Sequence, residues 1–255
     1  CSQKAAFFIS LHLQQTKQQS VDMKKIVVLS GAGISAESGI KTFRDDDGLW
    51  QNHRFEDLAT PAAWERNPQL VLDFYNQRRK QLYQVEPNDG HRALAQLEHY
   101  FEVQIITQNV DDLHERAGST QVLHLHGELK KVRSSINPDL VTSLEGWELK
   151  IGDTAADGTQ LRPHIVWFGE NVPNIERAAN MASKADVFIV VGTSLQVYPA
   201  AGLLDWVPST AAIYLVDPTA NPSNRYKNLS FMREKAAKGL PLLVNQLIQS
   251  HLNTI

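Results

Sequence analysis

Four short apolar runs, at residues 26–29, 103–107, 187–191 and 212–216, constrain this chain more than any other feature. Each is nearly continuous, rich in β-branched residues, and bounded by Gly, Asp or Ser. Strands covered on both faces, as parallel strands are, have this pattern. Helical periodicity fills the intervals. Residues 69–85 keep Leu70, Phe74 and Leu82 near one stripe, and residues 91–101, 174–185 and 240–252 also read as helices. Strands alternating with helices predict a doubly wound α/β fold on a parallel sheet.

Two stretches break the alternation. Residues 45–90 read as a helical insertion. Residues 128–165 carry Asn137-Pro138, Glu145-Gly146, Gly152-Asp153 and Asp157-Gly158 and read as a small inserted module. Residues 1–22, rich in Gln, Ser and Lys, read as an N-terminal extension, with Met23 a natural start for a domain over 23–255; Cys1 alternatively marks a processed lipoprotein. Cys1 is the sole cysteine. That rules out an intrachain disulfide and a multi-cysteine zinc site, and it points to a reducing, cytoplasmic setting. The net charge of −3 argues against nucleic acid or anionic lipid as a bulk-charge partner. No apolar run approaches the roughly 20 residues that span a bilayer.

The first run leads into Ser30-Gly31-Ala32-Gly33-Ile34-Ser35-Ala36, a G-x-G-x-x-A turn. Glycine suits a tight turn whose backbone approaches a pyrophosphate at a helix N-terminus. Alone, the motif is equally a packing turn. An acidic ribose partner is not clearly placed; Glu56 and Asp57 qualify only by their distance along the chain.

The second run leads into Gln108-Asn109-Val110-Asp111. Asn109 and Asp111 are short, polar and two apart at a strand's C-terminal end, where open sheets bind ligands. They suit an amide or ribose hydroxyls, or a helix cap. Next comes Leu123-His124-Leu125-His126-Gly127. On one strand the two histidines share a face, a spacing that suits a metal pair or a base titrating near neutrality.

Together these strings resemble those of the sirtuin family. Residues 31–44 resemble its NAD-binding signature, with Lys41 where Pro is usual, and residues 47–50 match the continuation. Residues 107–118 resemble its T-Q-N-x-D-x-L-H-x-x-A-G motif, and His126-Gly127 resembles the pair that carries its base. The resemblance runs over roughly residues 24–250 and implies a Rossmann-like core with NAD as co-substrate. The implied NAD contacts are Gly31, Ala32, Gly33, Ser35, Phe43, Arg44 and Trp50, then Gln108, Asn109, Val110 and Asp111. Gly192, Thr193 and Ser194 follow, with Val216, Asp217 and Ala236 toward the adenosine; Leu215 stands where the family commonly has Asn. His126, Asn109 and Asp111 are the implied catalytic residues, and His124 becomes the structural histidine. Residues 163–170 resemble the peptide-binding segment, where an extended substrate adds as a strand. Val166, Phe168, Gly169, Glu170 and Val197 are the expected substrate contacts.

Tyr75 and Arg78, three apart on a predicted helix, share a face, and a phenol beside a guanidinium suits a carboxylate. Class III sirtuins use such a pair for malonyl, succinyl or glutaryl lysine, with a small residue matching Ala59. Most sirtuins also bind zinc through four cysteines. Here Ser134 stands where the first is expected and no cysteine follows, so no zinc is expected. Leu140, Val141, Leu144, Trp147, Leu149 and Ile151 are expected to supply an apolar core instead.

The resemblance implies a deacylase. Acyl-lysine attacks the nicotinamide ribose, nicotinamide leaves, and His126 activates a ribose hydroxyl, giving O-acyl-ADP-ribose and free lysine. Acylated-lysine proteins or peptides are the expected partners of a monomeric enzyme. An ADP-ribosyltransferase or NAD hydrolase is the main alternative, followed by a non-catalytic NAD sensor and a dehydrogenase.

Overall fold

The computed structural model describes residues 23–41, 49–50, 53–193, 195, 198–219 and 226–254. At its centre lies β1 (Lys25–Ser30), whose alternating side chains enter two cores. The chain continues through the single turn α1 (Gly33–Ala36), a two-stranded ribbon of β2 (Leu49–Trp50) and β3 (His53–Arg54), and a 3-10 turn at Phe55–Asp57. Then come α2 (Pro61–Arg66), α3 (Pro68–Leu82) and α4 (Asp89–Leu97). Their starts are local chemistry. The Thr60 and Asn67 side chains accept from Ala63 N and Leu70 N, each just before a proline, and Asn88 forms a capping box with His91.

Next are β4 (Glu102–Thr107), α5 (Leu113–Arg116), β5 (Val122–His124), β6 (Gly127–Ser134), β7 (Val141–Ser143) and β8 (Leu161–Ile165). The chain closes with α6 (Ile175–Ala182), β9 (Val187–Val191), a 3-10 segment at Ala200–Trp206, β10 (Ala212–Val216), β11 (Leu229–Met232) and α7 (Ala236–Leu252). Six strands form a parallel sheet in the order β11-β10-β9-β1-β4-β5. Ile26 and Val28 pack beneath α4 and α7, whereas Val27 and Leu29 pack beneath α6 and the 3-10 segment. The expected doubly wound α/β core is therefore present. Strand order reverses between β1 and β9, and such a switch point opens a crevice at the strands' C-terminal ends.

The smaller module is an antiparallel sheet, β7-β6-β8. Its core differs from expectation. Of the six apolar residues proposed for it, only Leu149 is buried; Val141, Trp147 and Ile151 are exposed. Leu149 packs with Val132, Leu161 and Leu72 of α3, because the module's inner face is closed by that helix and not by its own loops. At the expected zinc position, the Ser134 hydroxyl donates to Asp157 (2.7 Å), lies 2.8 Å from Thr159 Oγ1, and accepts from Asn137 N.

Other differences have equally local causes. His124 and His126 do not share a strand face, since β5 ends at His124. Gly127 then turns at φ +85° to start β6, where a Cβ would lie 2.0 Å from the His164 carbonyl. α7 begins at Ala236, before Pro241, with its Ala237 N–H capped by Glu37, the residue after α1 (2.8 Å). Among the described residues, no helix is long and apolar enough to cross a membrane.

Candidate active site

The two strand ends at the switch point touch through glycines. Gly31 N donates to Val191 O (3.0 Å) and Gly33 N to Gly192 O (2.8 Å). A Cβ on Gly33 would lie 2.6 Å from Gly192 Cα, and one on Gly192, at φ +61°, would lie 2.3 Å from Ile34 N. The loop is thus thin because backbone meets backbone. The floor between the glycines and β4 is polar and ordered. Asn109 Nδ2 donates to Gly31 O (3.2 Å) and to Ser35 Oγ (3.1 Å); Ser35 Oγ in turn donates to Asp111 Oδ2 (3.0 Å). Leu113 N donates to the other Asp111 oxygen at 3.2 Å. Burial raises the Asp111 pKa, with these hydrogen bonds opposing it.

The two histidines of the H-x-H string have opposite chemistry. His124 Nδ1 lies 3.0 Å from the Asn109 carbonyl and Nε2 lies 2.8 Å from Glu115 Oε1. Both acceptors lack a proton, so both ring nitrogens donate and His124 is an imidazolium. Burial works against that charge, but Glu115 outweighs it and the pKa is raised. His126 makes one such bond, Nδ1 to the Gln108 carbonyl (3.0 Å). Burial lowers its pKa, the carbonyl contact partly opposing. At neutral pH His126 is therefore neutral, protonated at Nδ1, with its Nε2 lone pair available.

Beyond His126 the wall changes character. Tyr75 is 2% exposed and half-buried Arg78 lies one turn along α3. Trp167 Nε1–H donates to the Tyr75 oxygen at 3.1 Å. Burial pushes the Tyr75 phenol up to about 12, so it keeps its proton, and burial also lowers the Arg78 pKa. Phe168 N donates to Ala59 O (2.9 Å) and Val166 N to His126 O (2.9 Å), which fixes the segment after β8 against both residues. The Glu170 carboxylate turns inward to Arg162 (2.7 Å) and the Trp167 N–H (2.8 Å).

Every described residue expected to meet cofactor or substrate lines one cavity of about 690 Å³, from Val216, Asp217 and Ala236 at one end to Ala59, Tyr75 and Arg78 at the other. Phe43, Arg44, Ser194, Val197 and the Trp50 side chain lie outside the described residues. Glu56 and Asp57 do not line the cavity. They pair with Arg54 (3.2 Å) and Arg66 (2.7 Å), because the 3-10 turn faces outward. The sequence reading passed over Trp167 and Glu115, whose importance arises from partners distant in the chain.

The Sir2 family model matches residues 31–199. The chain belongs to the Sir2 family, the sirtuins. A protein of Bacteroides thetaiotaomicron named NAD-dependent protein deacylase is 55% identical over 231 residues, covering 89% of this chain and 99% of the relative. A Helicobacter pylori protein of the same name is 55% identical over 227 residues, with the same coverages of 89% and 99%. Among solved structures, a Sir2 homologue in complex with NAD superposes with a TM-score of 0.80 at 41% identity, covering 90% of this sirtuin and 91% of that chain.

Proposed function

We propose that this sirtuin is an NAD-dependent protein-lysine deacylase that prefers acidic acyl groups, succinyl and malonyl above acetyl. The observation that carries the reading is one continuous cavity. It joins a glycine-lined end, a neutral His126 with a free Nε2, and a buried Tyr75 with half-buried Arg78 one turn along. The names of the relatives support NAD as co-substrate. A Cβ at Gly31 would fall 2.7 Å from Gly192 O, so the glycine lets the two loops that line the cavity pack backbone to backbone.

The chain's own groups divide the work. Asn109, held from both sides by Gly31 O and Ser35, presents its remaining amide oxygen, and Asp111 holds Ser35. NAD, when bound, supplies an electrophilic ribose carbon with nicotinamide as leaving group. His126 Nε2 takes the proton of a ribose hydroxyl, and the Gln108 carbonyl steadies the ring as it becomes charged. Arg78 and Tyr75 hold the carboxylate of the acyl chain by charge-assisted hydrogen bonds. The ribose hydroxyl bonds to the acyl carbon, one water is consumed as the acyl–nitrogen bond breaks, and the products are nicotinamide, free lysine and O-acyl-ADP-ribose.

Residues 23–255 act as one sirtuin domain, with a helical insertion near 45–90 and a small module near 128–165. The enzyme is a cytoplasmic monomer acting on acylated-lysine proteins, without direct contact to nucleic acid or membrane. It carries no structural zinc. The polar groups around Ser134 are hydroxyls, backbone N–H groups and one carboxylate, whereas zinc of this kind needs thiolates. Stoichiometric zinc by elemental analysis of tag-free protein would refute that.

The deciding assay supplies NAD with acetyl, malonyl, succinyl and glutaryl peptides and follows products by mass. Succinyl and malonyl peptides are expected to turn over best. His126→Ala should abolish turnover and leave NAD binding largely intact. Nicotinamide release without acyl-lysine would favour an NAD hydrolase instead.

A further inference from the structure

We infer that Trp167 fixes the direction of the Tyr75 hydroxyl and is a specificity-determining residue for acidic acyl groups. The inference rests on the acyl preference proposed above. Trp167 is 2% exposed, between β8 and the Phe168–Gly169 turn, and its indole N–H can only donate. The Tyr75 oxygen accepts it at 3.1 Å, and this is the only hydrogen bond of that oxygen among the described residues. A phenol has one proton, lying near the ring plane. With one side of the oxygen taken by Trp167, that proton turns to the other, toward the cavity that Tyr75 and Arg78 line. A hydroxyl that accepts a hydrogen bond is also polarised into a better donor.

The consequence for substrate is electrostatic. An acyl carboxylate beside Arg78 then meets a second donor. Without Trp167 the hydroxyl is free to present a lone pair, which repels the same carboxylate. An acetyl methyl group is indifferent to this choice. Trp167 is itself held on three sides. The Arg162 guanidinium lies 3.3 Å from its ring centroid, Glu170 accepts from its backbone N–H at 2.8 Å, and Trp64 packs at 5.9 Å between centroids. Glu170 also accepts from Arg162 (2.7 Å) and Arg133 (3.3 Å), so the support is one connected layer. Phenylalanine at 167 keeps most of the packing and removes the N–H.

The test measures kcat/KM on succinyl- and acetyl-lysine peptides for wild type, Tyr75→Phe, Trp167→Phe and the double variant. Each succinyl value is divided by its acetyl value, which cancels loss of folded protein. Tyr75→Phe should lower the ratio about tenfold and Trp167→Phe about fivefold, chiefly through KM, as befits one hydrogen bond to a charged group. The double variant should be no worse than Tyr75→Phe, because Trp167 acts only through that hydroxyl. Multiplicative losses in the double variant, or an unchanged ratio in Trp167→Phe while Tyr75→Phe lowers it, would overturn the inference. A wild-type enzyme without succinyl preference, and with a ratio insensitive to Tyr75→Phe, would instead overturn the acyl reading beneath it.

Discussion

Two histidines two positions apart are prepared for different tasks by what their ring nitrogens meet. His126 has one carbonyl partner and a burial-lowered pKa, so its basic form persists below the usual 6.5. The acid limb of a kcat/KM–pH profile should therefore have its midpoint below 6.5, and imidazole nitrogen NMR should find only Nδ1 protonated at pH 7. An imidazolium signal for His126 at that pH would contradict the assignment. His124 is the reverse case. Its folded pKa is raised, chiefly by Glu115 against the cost of burial, so the stabilisation is fully present below the unfolded value near 6.5. It is lost as pH rises through the higher folded value. Glu115→Gln should cost on the order of 1 kcal/mol near pH 6, limited because Glu115 is partly exposed to solvent and screened. The gap in Tm to wild type should narrow toward pH 9; a constant gap would mean that packing, not charge, carries the effect. The H-x-H string alone left a metal pair, a structural histidine and a base open. What separates them is Glu115 and the Asn109 carbonyl, brought in by the turn from β4 into α5.

At the scale of elements, the four central parallel strands β10, β9, β1 and β4 were legible because covered strands need apolar residues on both faces, whereas their order was not. The small module was not, because its core is completed by Leu72 from α3 and its loops are tied by side chains from elsewhere. Asn76 is the main tie. Its amide accepts from Leu149 N and donates to Leu149 O, both at 2.9 Å, as a neighbouring strand would, and it also accepts from the buried Arg79 (2.7 Å). Asn76→Ala leaves these buried groups unpaired and should cost about 2–4 kcal/mol, with the Leu149 amide losing its protection from hydrogen exchange. Unchanged protection would assign the tie to Arg79 alone. The contact between the loops after β1 and β9 makes a sharper contrast. Gly118→Ala meets only Ala95 Cβ at 3.8 Å, so it carries backbone strain at φ +106° and should cost about 1–2 kcal/mol without affecting NAD binding. Gly192→Ala adds a 2.3 Å contact with Ile34 N, backbone against backbone. It should weaken NAD binding by about 100-fold or more, since the loops must separate to accept it. Calorimetric titration of both variants separates strain from steric closure.

The molecule as a whole folds its ligand floor onto a core that contains uncharged histidines, and this sets its behaviour in acid. His91 of α4 and His114 of α5 are 0% and 1% exposed, with ring centroids 5.0 Å apart. His114 Nε2 lies 2.9 Å from Ser30 Oγ, which donates to Thr107 Oγ1; Thr107 Oγ1 accepts from Asn109 N at 3.0 Å. The chain of contacts thus runs from the core to the site floor. Burial lowers the His91 pKa to about 4 and the His114 pKa well below 6.5. In the unfolded chain both take up protons from about pH 6.5 downward, while the folded protein does not. The unfolded state therefore binds more protons between about pH 4 and 6.5, and stability falls as pH falls through that window. His91 alone accounts for on the order of 3 kcal/mol across it, a large share of the roughly 5–15 kcal/mol that holds a domain together. Raised Asp111 works in the opposite direction, because burial lets the folded state hold that proton to higher pH than the unfolded one. Urea unfolding followed at pH 7, 6 and 5 should show net proton uptake on unfolding near pH 5.5, to which His91 and His114 contribute about two protons. His114→Asn, which keeps a donor for Ser30 and cannot be protonated, should reduce that uptake by about one proton and flatten the pH dependence. A slope identical to wild type would show that His114 is protonated in the fold and that the site floor rests on a charged core.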